Sequence, residues 1–355
     1  MIGADARPVA TALHVAASSP YLAPVTWKSR FAMTTNILLQ TTIESAPDDW
    51  GIARFSLLRD HLAGLRGEDG TPLYAVTARD RAAPPGVSDP VLATIDESEF
   101  DELWLFAVDI GNGLNAEECT AIGRFREGGG GLLVARDHMD LGSSVCGLGG
   151  VGIAHHFHSH NQDPDPARRA IDDVVTSAIL WPNYHSGANG DYQEITPCGA
   201  VHPLLADPDA PAGSLRFLPA HPHEGDVSAP ADDPGARVIA TGTSKVTGAT
   251  FAIAVAFEPQ HGGPGPAVAQ STFHHFADYN WDPNKGAPSF VSEPPGRSLL
   301  DSEEARRSTR HYVANLAHWL GEGRRLRRSE AARLNDRLDD ALKMSFPASD
   351  PIAIA

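Results

Sequence analysis

The order of elements along the chain predicts an α/β protein built on a doubly wound, mainly parallel sheet flanked by helices. Three observations carry that expectation. Short apolar and β-branched runs recur at residues 36–42, 74–78, 103–108 and 132–135. Helical-period apolar stripes fall between the first and second runs and between the third and fourth. The third run is apolar throughout, as befits a strand covered on both faces. Strands and helices alternating at these lengths imply parallel crossovers. The 355 residues, 42% of them hydrophobic, are ample for one large core.

Each element has its own warrant. After the first strand, Ile52, Phe55, Leu58, Leu62 and Leu65 recur at steps of three and four, so a helix is expected there, closed by Gly67 and Gly70. Asn115, with Glu118 three positions on, reads as a capping box opening a helix striped by Cys119, Ile122 and Phe125. The run Gly128 to Gly131 precedes a strand and not a helix N-terminus, so it is a helix stop and not a phosphate cradle. Residues 139–235 read as a long irregular, His-rich insertion. Two strands are expected at 251–257 and 267–273, unless 236–273 form a small antiparallel sheet of their own. A helix should begin near Asp301, with Glu304 completing a capping box and Gly321 ending it. The domains are then a flexible extension (1–33), an α/β domain (34–321), and a C-terminal helix with an extended tail (322–355). That tail carries Arg324, Arg325, Arg327 and Arg328, then an amphipathic stretch through Leu334, Leu338 and Leu342. It is expected to pack on the domain or on a second subunit, giving a homo-oligomer.

Bulk properties exclude several functions. A formal net charge of -17 leaves no electrostatic footprint for nucleic acid or an anionic membrane. No apolar run approaches the roughly 20 residues of a membrane span. Cys119, Cys146 and Cys198 are scattered and odd in number, so neither a zinc ribbon nor a disulfide framework is expected. A reducing cytoplasm is the simplest compartment.

The chemistry is expected beyond the carboxyl ends of the strands. Glu44 follows the first, Asp109 the third, Asp137 and His138 the fourth, and His274, His275 and Asp278 the last. Twelve of the sixteen histidines lie between His138 and His275. In a strand, His156, His158 and His160 would share one face. The His221–His223 pair is followed by Glu224, a ligand or base beside them. Of His274 and His275, alternation sends one inward. Cys146 sits in a Gly-rich stretch, either as a small buried residue or as a nucleophile. Residues 181–192 and 278–282 mix aromatics with Asn, Asp and His as site walls would. The candidates are therefore Asp137, His138 and Glu224 as acid/base groups. His138, His156, His158, His223 and His275 are the candidate ligands of a divalent zinc, iron or manganese. Glu44, Asp109, Tyr184, His185, Asn189 and Asp278 are the expected contacts to a small polar substrate.

The opening strand, the segment Glu102 to Phe106, the helix Ala116 to Glu127 and the sequence from Gly128 to His138 together resemble the ThuA-like (trehalose-utilisation) family. A second likeness lies in the strand, His274-His275 and helix that end in Ala317-His-Trp-Leu. The resemblance spans roughly residues 34–320. It implies a class I glutamine amidotransferase-like, flavodoxin-related fold and a link to sugar metabolism. It places His138 where amidotransferases carry a nucleophilic Cys, so Cys-dependent glutamine hydrolysis is not expected. The end of the tail, residues 345–351, resembles a short motif in assorted bacterial proteins, which implies a bacterial source. The leading expectation is a metal-assisted hydrolase or lyase on a small polar, carbohydrate-like substrate. Its rivals are a non-catalytic binding protein using the same cleft and an assembly protein using the tail.

Overall fold

The computed structural model describes residues 34–345, apart from 173–175, 177, 260 and 261. Strands β1 (Thr35–Glu44), β2 (Tyr74–Arg81), β3 (Glu102–Ala107) and β4 (Gly131–Arg136) are parallel, with β1 between β2 and β3. Helix α1 (Ser56–Gly64) connects β1 to β2, and α2 (Ala116–Glu127) connects β3 to β4. The capping box at Asn115 is formed as the sequence predicts, with both the side-chain and the reciprocal Glu118 bond present. The middle of the chain holds only short pieces: α3 (Gly150–Ile153), β5 (His155–His156), β6 (Tyr192–Glu194), β7 (Thr196–Pro197), β8 (Phe217–Pro219) and β9 (Asp226–Val227). Then come β10 (Ala236–Thr243), β11 (Thr250–Phe257) and β12 (Ala267–Gln270). The main sheet has eight strands in the order β2-β1-β3-β4-β12-β11-β10-β7. Its first five strands are all parallel and follow the flavodoxin-like order. Antiparallel β11, β10 and β7 extend the same sheet, so residues 236–273 are not a separate β domain.

Side chains alternate across this sheet into two cores. Ile37, Trp104, Phe106 and Leu133 point to one face, where α1 and the later helix α6 (Glu303–Leu320) cover them. Leu38, Leu103, Leu105 and Val134 point to the other, under α2. That double cover explains why the central strands read as unbroken apolar runs. The glycine run after α2 is a packing device. A Cβ on Gly130 would meet the Phe125 ring at 2.3 Å, and one on Gly131 would meet the Leu320 carbonyl oxygen at 2.3 Å.

Beyond β12, helices α4 (Asp278–Trp281) and α5 (Ser298–Asp301) precede α6. The N-cap of α6 is Ser302, which accepts from the Ala305 amide, and not Asp301 as the sequence suggested. Asp301 instead ends the short α5. The expected closure of α1 at Gly67 and Gly70 is also displaced, since the helix ends at Gly64. The tail helix α7 (Glu322–Ser345) is docked through its first turns. Arg324 donates to the carbonyls of Ser98 (2.9 Å), Asp96 (3.3 Å) and Phe100, and Arg327 to that of Gly263 (2.6 Å). Further on, Leu334, Leu338 and Leu342 are 58%, 53% and 56% exposed, so the expected packing of this stripe on the domain is not found. The extension 1–33 and the extended end lie outside the described residues. Among the described residues, no helix is long and apolar enough to cross a membrane.

Candidate functional site

The turn after β4 is where the site begins. Arg136, the last residue of β4, is fully buried and lies 4.3 Å over the Phe157 ring. Its guanidinium donates to the carbonyls of Asp137 and His156, binding the turn to the insertion. Met139 takes a positive φ of 51°, which only a sharp turn requires of a non-glycine residue. The turn exposes His138 partly and buries Asp137. Oδ1 of Asp137 accepts from the His138 amide at 2.8 Å and lies 2.8 Å from His138 Nδ1.

Two further segments reach the same spot. The loop after β8 brings His221, and the turn after β12 brings His274, so the three contributors converge beyond the carboxyl ends of adjacent strands β4 and β12. Asp137, His221 and His274 are all buried, and their ligand-type atoms lie within 4.8 Å of one another. The imidazoles of His221 and His274 stack at 3.7 Å and 15°. Each ring has a fixed partner on its outer side. His221 Nδ1 lies 3.2 Å from Thr272 Oγ1, and His274 Nδ1 lies 2.8 Å from Asn280 Oδ1. Trp50 meets His274 edge-on at 4.8 Å and walls the cluster. The residues on either side of Trp50, Asp49 and Gly51, line a groove of about 520 Å³ together with Arg54, Asp80 and Lys285.

The electrostatics suit cation binding. Burial opposes charging of Asp137, but His138 and His274 outweigh it and hold the carboxyl well below its ordinary range. Burial and the neighbouring histidines push His221 well below the usual imidazole value. Burial takes His274 down to about 4, against the opposing pull of Asp137 and Asn280. Near neutral pH the cluster therefore holds a carboxylate and two uncharged imidazoles, the protonation states that metal ligation requires.

The other candidates fall elsewhere. His223 is adjacent, its ring 5.5 Å from those of His138 and His221. Both its nitrogens are engaged, by Asn183 Oδ1 at 3.2 Å and Glu293 Oε1 at 3.0 Å. Glu224 does not face the histidine cluster as a base. Its buried carboxylate takes bonds from Ser186 (3.0 Å), Ser271 (2.8 Å), Gln193 (2.5 Å) and His275 (3.1 Å). His275, expected from the sequence as a ligand, is thus turned away into this polar core. Its other nitrogen meets Gln270 at 2.7 Å, so His274 is the partner that faces the cluster. The reason is local: β12 stops at Gln270, and the pair sits in a 3₁₀ turn (Phe273–His275) where strand alternation does not apply.

The shared face of His156, His158 and His160 is likewise absent, because β5 spans only His155–His156. His156 Nδ1 meets the Asn161 carbonyl at 2.9 Å and Nε2 meets Ser228 Oγ at 2.6 Å. It forms a second buried group with Asp163 and Asp226, already bridged by Arg168 at 3.1 Å and 2.5 Å. His158 Nδ1 lies 3.2 Å from the Trp181 carbonyl, and His160 is exposed.

Among the expected substrate contacts, Asp109 is spent on its own loop, accepting from Gly111 and Gly113 (2.8 Å each) and from Thr42 (2.6 Å). Asp278 caps α1 across the chain, taking the amides of Ser56 (3.1 Å) and Leu57 (2.7 Å). Tyr184 is buried against Phe251, with its hydroxyl on the Arg168 carbonyl at 2.7 Å. Glu44 is exposed at the end of β1, and His185 is half-buried. Asn189 belongs to the site indirectly, since its Oδ1 accepts from Asn280 at 2.9 Å. Burial pushes the Cys146 thiol up, which is the reverse of activation. Sequence reasoning missed Asn280 altogether and named His221 without selecting it. The signal for Asn280 was present only as one residue of an aromatic and amide run.

No family model matches the chain, and no curated protein matches it. Several solved structures are similar in trace. The mmIFT52 N-terminal domain aligns at 13% identity and a TM-score of 0.44, covering 80% of this chain and 97% of that one. A GMP synthase subunit from Thermoplasma acidophilum aligns at 10% identity and a TM-score of 0.36, covering 83% and 98%. The Trypanosoma brucei CTPS glutaminase domain with bound acivicin aligns at 14% identity and a TM-score of 0.42, covering 80% and 94%. These are likenesses of chain path at low identity and say nothing about chemistry.

Proposed function

We propose that the chain is a metal-assisted hydrolase or lyase whose zinc, iron or manganese is held by Asp137, His221 and His274. One observation carries this reading: three buried ligand atoms from three distant segments meet within 4.8 Å. Two histidines and one carboxylate, with coordination positions left over, suit either a zinc hydrolase or a non-haem iron or manganese centre. The metal would polarise a carbonyl or lower the pKa of a bound water. His138, with 22% of its side chain exposed and its ring beside the cluster, is the group placed to move a proton between substrate and solvent. The ThuA-like resemblance supports a carbohydrate-like substrate, and the groove beyond Trp50 is where its distal part would lie.

Elemental analysis of the tag-free, chelator-free protein tests the reading. Near-stoichiometric metal is expected, with loss of both metal and turnover in the Asp137→Asn, His221→Gln and His274→Gln variants. Metal retained by the triple variant, or no uptake after incubation with each ion, would overturn it. Metal-dependent binding of a sugar with no product formed would instead make this a binding protein that uses the same cluster.

A further inference from the structure

We infer that Asn280 locks His274 in the Nδ1–H tautomer, so that its Nε2 lone pair joins Asp137 and His221 in holding a ligand. Asn280 is a positioning residue in this scheme, and its purpose, though not its geometry, rests on the metal reading above. The hydrogen positions follow from fixed acceptors. Nδ2 of Asn280 lies 2.9 Å from the Ala220 carbonyl and 2.9 Å from Asn189 Oδ1. A backbone carbonyl only accepts, so the amide nitrogen must face it, and the orientation of the Asn280 amide is settled. Its oxygen then faces His274 Nδ1 at 2.8 Å. An amide oxygen also only accepts, so the ring hydrogen sits on Nδ1. The ring is buried and stacked on a second buried imidazole, and it stays uncharged near neutral pH. Nε2 is then unprotonated.

The neighbouring histidine is held the other way. Glu224 as a carboxylate only accepts, so His275 Nε2, 3.1 Å from it, carries hydrogen. Nδ1 of His275 therefore accepts from the Gln270 amide nitrogen at 2.7 Å. The Gln270 oxygen in turn takes the Tyr312 hydroxyl at 2.6 Å, which is consistent at every link. Two adjacent histidines thus hold opposite tautomers: the one facing the cluster offers Nε2, and the one behind it offers neither nitrogen. Outer hydrogen bonds of this kind set ring orientation and ligand basicity in metal sites.

The test is a long-range proton–nitrogen NMR correlation on the full chain, stripped of metal and labelled with ¹⁵N-histidine. His274 is assigned by its absence in His274→Gln. Protonation at Nδ1 for His274 and at Nε2 for His275 is expected, and Nε2–H on His274 in the wild type overturns the inference. In Asn280→Leu, His274 should shift to the Nε2–H form. Zinc affinity, read by chelator competition, should fall about 10–100-fold in that variant. Asn280→Asp keeps an accepting oxygen and should recover most of the loss; equal loss in both variants would also sink the proposal. A correct wild-type tautomer without any zinc binding would leave this inference standing and remove the metal reading instead.

Discussion

At the scale of single residues, His155 stands apart from the cluster histidines. It is fully buried, and neither ring nitrogen has a hydrogen-bond partner among the described residues. Burial, Arg136 and His156 together push its pKa well below the ordinary imidazole value. The folded state therefore binds fewer protons than the unfolded chain wherever pH falls below about 6.5. This contribution to stability is complete above that pH and is lost progressively as pH falls toward the folded value. Replacing the ring removes the penalty, so His155→Leu should gain stability at pH 5 by about 2 kcal/mol more than at pH 8. Urea melts of both chains at the two pH values would check this, and an equal change at both would refute it. Residue-scale legibility followed the same physics. Asp137 and His138 were readable because a strand end points at solvent wherever it falls in sequence. His274 was not separable from His275, because the choice depended on a 3₁₀ turn replacing strand alternation. His156 and Glu224 looked functional for their side chains, yet their bonds are all made within the protein.

At the scale of elements, the parallel strands and α2 were legible from short-range pattern: apolar runs with two covered faces, and a capping box written in four residues. What was not legible depended on distant partners. The Asp278 cap of α1 joins residues far apart in the chain and leaves no local trace. Nor could the glycine run after α2 be read beyond its role as a stop, since its purpose is the close approach of α6 to β4. Gly131→Ala tests that account. Its Cβ would stand 2.3 Å from the Leu320 carbonyl, so the end of α6 must move. A loss of about 1–3 kcal/mol is expected, seen as a lower urea midpoint at unchanged slope. An unaltered midpoint would mean that the α6–β4 contact yields freely.

At the scale of the whole molecule, the fold is a continuous sheet with the tail helix held at one end only. Arg324 and Arg327 fasten its start, while its leucine stripe faces outward. Truncation after Ser329 should accordingly shift the thermal midpoint by less than about 2 °C. A larger fall would show that Leu334, Leu338 and Leu342 are covered in solution, and sedimentation of the intact and shortened chains would then reveal a second copy as the cover. The insertion read as loop from its composition, and the structure agrees in kind. Its position could not be read, because β5–β9 and β6–β8 pairing spans long sequence separations.

The wide spacing of the cluster has a further consequence during biosynthesis. Asp137 leaves the ribosome well before His221, and His274 and Asn280 come later still. At 5–20 residues per second, the nascent chain carries an unsatisfied Asp137 for roughly 7–30 s before its last partner exists. Over that interval β4 has no β12 beside it, and its apolar edge is open to other chains. Expression yield should therefore depend on temperature and chaperone supply more than on the stability of the finished protein.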